Sequence, residues 1–117
     1  MRSEPQNTTI CAIVTSPSSF HRRAVRFRAH VESDGFENTV LVDPRCPNAG
    51  IAPNWGRHSG ENVSVLVDAL YGKRPGTRDK EVEAVFIGTF ILDEKLRIRR
   101  LEVASVADLK IKPRVAR

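Results

Sequence analysis

The chain has 117 residues, enough for one domain with a single core but not for two. Its 40% hydrophobic and 28% charged content excludes a collagen-like or largely disordered protein, and its net charge of +5 admits an anionic partner or simply a basic, soluble surface. No apolar run reaches the about 20 residues of a membrane-spanning helix or the about 7–15 of a signal-peptide core, so no membrane span is expected. An exported form whose leader has been removed is compatible with the sequence.

Residues 1–8 are polar and read as a flexible N-terminus. Residues 9–15 form a short apolar run, expected as a strand through the interior of a sheet. Pro17 and its serine neighbours break it. The stretch from Arg22 to Asp43 follows, and the rest of the domain is expected to build on it. Val25, Phe27, Ala29 and Val31 alternate with Arg26, Arg28 and His30, the period of two of a strand with one buried and one solvated face. Asp34-Gly35 signals a hairpin turn, and the β-branched run 39–42 returns as a second strand that ends at Asp43-Pro44.

Residues 44–59 carry three prolines, two glycines and the only tryptophan, and read as a long irregular connection. Trp55 is expected to cap one end of the core, in preference to serving as a ligand platform. The one good helix comes next. Val63, Leu66, Val67 and Leu70 make a single apolar stripe, with Ser59 as N-cap, Glu61 in the first turn and Gly72 at the C-terminal end. A turn-rich basic loop, residues 73–78, leads to two final strands.

The first, 81–91, sends Val82, Ala84, Phe86, Gly88 and Phe90 inward, and Gly88 suggests a bend or bulge. The second, 95–111, holds Leu96 and Ile98 in one phase and Leu101 and Val103 in the other, so a bulge is expected near Arg99-Arg100. Residues 112–117 read as a loose basic tail.

Two cysteines are too few for a disulfide scaffold. Cys11 reads as a small core residue and Cys46 lies in the irregular connection. A bridge between them would contribute about 3–4 kcal/mol if the geometry allowed it, and the sequence leaves that open. His21, His30 and His58 are scattered, with no carboxylate spacing that suggests a metal, and no phosphate loop or nucleophile elbow is present. No cofactor and no catalytic site is expected.

The order strand, long strand, strand, helix, strand, strand resembles the OB-fold, as do the position of the helix and Gly88 within the run 86–90. The chain is also similar to small bacterial proteins of that type that share the run 40–43 and Cys46-Pro47. The resemblance covers about residues 9–111, as one domain. It implies a mainly β fold, a five-stranded Greek-key barrel with one helix between strands 3 and 4.

The resemblance further implies ligand binding on the outer face of strands two and three, between the loops joining strands one to two and four to five. It places Arg26, Arg28 and His30 on that face, and Arg97 and Arg99 join them as a candidate ligand or nucleic-acid face. Arg45, Trp55 and Arg57 are candidate contacts from the long connection. Missing aromatic side chains on that face and acidic turns nearby weigh against nucleic acid. The expectation is a non-catalytic binding or protein-interaction module with an unknown protein or anionic partner; a single-stranded nucleic-acid binder is the alternative.

Overall fold

The computed structural model describes residues 4–56 and 61–114. In chain order the elements are β1 (Gln6–Asn7), α1 (Ile10–Thr15), α2 (Pro17–Phe20), β2 (Ala24–Ser33), β3 (Thr39–Val42), β4 (Gly50–Asn54), α3 (Glu61–Tyr71), β5 (Lys80–Asp93) and β6 (Ile98–Pro113). Strands β2, β3, β4, β6 and β5 are neighbours in that order, and β5 pairs back onto β2. All these pairings are antiparallel except β4 with β6. The result is a closed five-stranded OB-like barrel, with α3 between its third and fourth strands.

The expected alternation on β2 holds. Val25, Phe27, Ala29 and Val31 are buried, and Arg26 and Arg28 face out. On β5 the inward set Val82, Ala84, Phe86 and Phe90 is buried as well. Gly88 sits where the β5–β6 register shifts, and a Cβ there would run into the carbonyl oxygen of Glu102. Glycine is therefore required by the close approach of two strands, the bend that lets the sheet curl shut.

One stripe of α3 enters the core. Val63, Leu66 and Leu70 are buried among the barrel residues, Val67 is half-buried, and Asp68 faces solvent. Trp55 packs beside Phe86, with ring centroids 6.4 Å apart, as the cap expected of it. The N-cap assigned to Ser59, and the Glu61 side chain, lie outside the described residues.

Two elements change identity. Residues 9–15, expected as a strand, form the short helix α1. The Thr9 hydroxyl accepts a hydrogen bond from the Ala12 amide at 3.0 Å, and Ile10 and Ile13 bury one side of the turn. A run this short and apolar suits either state, and the barrel closes without it. In its place β4 emerges from the connection read as irregular. Pro53 disguised that strand. It stands past the end of the β3 ladder, which pairs only Gly50 and Ile51, so its missing N–H leaves no β3 carbonyl without a donor. The two changes cancel in the strand count, but the long arginine-bearing strand becomes the first of the barrel, not the second.

Gln6–Asn7 pairs in parallel with Val25 and Arg26, and β6 continues to Pro113, opposite Lys80. The expected bulge at Arg99-Arg100 is absent, since pairing is regular from Asp93 with Ile98 to Gly88 with Val103. The phase resets beyond Val103, at the register shift beside Gly88, and again near Asp108, whose φ is 48°. Leu96 and Ile98 consequently end on the outside.

Leu66→Ala is expected to cost about 2–5 kcal/mol, as a deletion in a filled core. Asp68→Ala should stay within about 0.5 kcal/mol. Urea midpoints of the two variants against the parent check both values.

Candidate functional sites on the barrel surface

The outer surface offers two concave places that involve the residues singled out above. The first is an open cleft of about 400 Å³ lined by Arg28, His30, Asp43, Pro44, Arg45 and Glu83. Barrel pairing assembles it, because His30 stands opposite both Val42 and Glu83, which brings β2, β3 and β5 to one rim. Arg28 and His30 follow from the alternation of β2. Arg45 arrives from the loop after β3.

The charges in this cleft are paired with one another. Arg28 hydrogen-bonds Asp108 and reaches Glu83 at 3.3 Å. Asp43 is only 3% exposed, and it accepts from the Arg45 amide at 2.9 Å, from Nε at 3.1 Å and from Nη2 at 2.7 Å. Those side-chain bonds, ahead of every other influence, hold the Asp43 carboxyl below the ordinary carboxylate range. Asp108 is lowered by its bond to Arg28, and Asp34 by the Phe36 amide. Both carboxylates of this cleft are engaged by arginines, and the imidazole of His30 lines it as well.

The floor beside the cleft is covalent. Cys11 on α1 and Cys46 in the loop after β3 are bonded, with Cα atoms 5.7 Å apart, which settles the question the sequence left open. The bridge closes a 35-residue span and contributes about 3–4 kcal/mol by limiting the unfolded chain. It also fixes the loop that carries Arg45.

The second place is a shallow hollow of about 690 Å³ on the outer face of β3 and β4. Val40, Gly50 and Ala52 floor it, Asp34, Glu37 and Asn38 of the β2–β3 loop border one side, and Ile98 and Arg99 the other. In barrel order these are strands two and three with the flanking loops 34–38 and 94–97. The outer face of barrel strands two and three is therefore this one, and not the arginine-bearing face of β2. Phe36, 79% exposed, and Leu96, 66% exposed, stand on those two loops. Asp34 shapes the first loop by accepting from the amides of Phe36 and Asn38, and Asp93 shapes the second by accepting from the amide of Leu96.

The expected arginine face is thus divided. Arg28, His30 and Arg45 meet in the cleft, and Arg99 borders the hollow. Arg97 occupies the β5–β6 turn with φ 52°. Arg26 pairs with Ile87, five residues along β5 from the Leu92 that faces Arg99, a separation of roughly 17 Å. Arg57 lies outside the described residues. His21 has a structural task, its Nδ1 accepting from the Leu92 amide at 2.9 Å.

Sequence reasoning missed Asp43, read only as the end of a strand, and Ala52, hidden in the unrecognised β4. For Asp43 a signal was present: an acid closing an apolar run with an arginine two residues on.

Since the folded value of Asp43 lies below the unfolded value of about 3.9, its contribution to stability is complete above that pH. It is lost as the pH falls through the lower folded value. Asp43→Asn should therefore be less stable than the parent near neutrality, yet lose less stability between about pH 5 and pH 2.5. Urea unfolding at a series of pH values measures both.

No protein-family model, curated protein or solved structure matches this chain.

Proposed function

We propose that this protein is a non-catalytic interaction module that binds an extended, partly apolar segment of a protein partner across the β3–β4 face. The observation that carries this reading is the group of exposed apolar side chains around that face. Ile98, Val40 and Ala52 line the hollow, and exposed Phe36 and Leu96 stand on the two loops that flank it, on a surface otherwise rich in charge. Exposed apolar groups gathered at one concave place, with a polar rim, suit a protein contact. Carboxylates of Asp34 and Glu37 at the rim disfavour a polyanion there.

Peptides selected against the immobilised protein from a random library are expected to shift the amide resonances of Val40, Ala52 and Ile98. Leu96→Asp with Ile98→Asp should abolish that binding and leave the urea midpoint nearly unchanged. Peptides that map elsewhere, or bind the double variant as well as the parent, would count against this reading.

A second reading, single-stranded nucleic-acid binding, draws on a different surface from the one the arginine row suggested. Residues 73–81 and 110–114 hold seven basic and two acidic side chains, a surplus of five, equal to the net charge of the entire chain. The fold joins these two segments. Lys80 pairs with Pro113, the Arg114 amide donates to the Asp79 carbonyl at 2.9 Å, and the Lys80 ammonium donates to the carbonyls of Ala69 and Arg74. Lys110, Lys112 and Arg114 recur at every second position, about 7 Å apart, a spacing suited to a linear polyanion.

Binding of labelled oligothymidine should then weaken by a factor of about 20–50 between 50 and 200 mM salt, as about three to four neutralised phosphates require. Lys112→Glu with Arg114→Glu should weaken it at least tenfold, and Arg97→Glu with Arg99→Glu less than threefold. No binding at 50 mM salt would end this second reading.

A further inference from the structure

Beside the cleft, the Sγ atoms of Cys11 and Cys46 and a carboxylate oxygen of Asp43 lie within 4.8 Å of one another. They come from α1, from the end of β3 and from the loop that follows it. Asp43 is the one carboxylate among the described residues that is almost wholly buried. Its side-chain partners all belong to Arg45, whose own side chain is 70% exposed. Burial of a carboxylate needs strong compensation, and in the oxidised chain the three bonds from Arg45 supply it. The guanidinium lies on the solvent side, while the two sulfurs lie against Asp43 as a second set of partners once they are thiols.

We propose that, once the disulfide is reduced, Cys11, Cys46 and Asp43 form a three-ligand site for a zinc-class divalent cation. The disulfide and the metal are then alternative occupants of one place. A phosphine with one water, or a dithiol, supplies two electrons and two protons, so the S–S bond breaks to two thiols while the phosphine takes the water oxygen and leaves as phosphine oxide, or the dithiol leaves as its cyclic disulfide. Binding of the cation releases the two thiol protons and forms two metal–thiolate bonds. Zinc accepts both sulfur and carboxylate oxygen, at about 2.3 Å and about 2.0–2.2 Å, in tetrahedral geometry with water in the remaining position.

Two such bonds at the tetrahedral angle hold the sulfurs roughly 3.7 Å apart. The Cα separation of 5.7 Å accommodates this by rotation of the two short side chains and a small shift of the loop after β3. Asp43 exchanges Arg45 for the cation, and Arg45, already largely in water, moves into solvent. This inference stands apart from the two binding surfaces proposed above.

The test uses the full chain, reduced with a phosphine under anaerobic conditions and titrated with cobalt(II). Near-ultraviolet thiolate-to-cobalt absorption is expected to saturate at one equivalent, and zinc should displace it. Zinc should also slow maleimide labelling of both cysteines at least tenfold, and the zinc-loaded chain should keep the far-ultraviolet circular dichroism of the oxidised protein. Oxidised protein should show no such absorption, Cys46→Ser should lose it, and Asp43→Asn should retain it with affinity lowered tenfold or more.

Absence of the absorption in the reduced parent would overturn the proposal. Equal affinity in Asp43→Asn would overturn it too, because the metal would then be held by the thiols alone. A metal-loaded chain that stays unfolded would do the same.

Discussion

The ladder between β2 and β5 closes this molecule, and most of its other features follow from that closure. It runs from Ala24 opposite Thr89 to Val31 opposite Val82, and places inward residue against inward residue along its length. Phe27 meets Phe86 with ring centroids 6.3 Å apart, Ala29 meets Ala84, and Val25 meets Gly88. Large faces large and small faces small, so the interior is wide in the middle and narrow where the strands bend. A slip of one residue would turn every one of these side chains to water, and the barrel interior would lose its filling. Each large apolar side chain so buried is worth about 1.5–3 kcal/mol, which makes the register expensive to leave.

A second constraint locks the open end of the barrel. Gly35 in the β2–β3 loop and Gly76 in the α3–β5 loop, at φ 83° and 85°, lie against each other's segments. A Cβ on Gly35 would meet Pro75 and the Gly76 nitrogen at 2.5 and 2.8 Å. Buried Thr77 exchanges backbone and side-chain hydrogen bonds with Ser33, and Tyr71, Thr39 and Ser33 pass a chain of hydroxyl bonds at 2.6 and 2.8 Å. The helix end, the hairpin and the basic loop are thereby held as one unit. This is why residues 73–81 carry their charge on a defined surface rather than on a free loop.

The surface charge divides by pairing more than by composition. Arginines on β2 and after β3 are answered by Glu83, Asp108 and Asp43, so the cleft is nearly neutral despite its arginines. The surplus lies instead where β5 begins and β6 ends, and there the pairing is longer, Lys110 with Asp108 and Arg114 with Glu32 at 4.0 Å each. Across the β3–β4 face Val40, Ala52 and Ile98 form an apolar patch within a polar rim that carries acids on one side and Arg99 on the other. Among the described residues the barrel in this way presents three chemically distinct surfaces, one where β2, β3 and β5 meet, one across β3 and β4, and one where β5 and β6 pair.

The alternation of residues 25–31, the stripe at positions 63, 66 and 70, and Gly88 inside an apolar run were enough by themselves to determine half-buried strands, one packed helix and a bend; the closed barrel was implied only by the resemblance to the OB-fold. Each is a local period or a local steric need, and no distant partner is required to read it. What the tertiary structure decided was pairing. Residues 9–15 became a helix and residues 50–54 a strand because only the latter finds an edge on both β3 and β6. Cys11 found Cys46 for the same reason, and Asp43 came to lie beside both. The outward arginines could be seen in the chain, but their neutralising partners stand 55 and 80 residues away. Sequence periodicity shows which way a side chain points; which charges meet there depends on the register of strands distant in the chain.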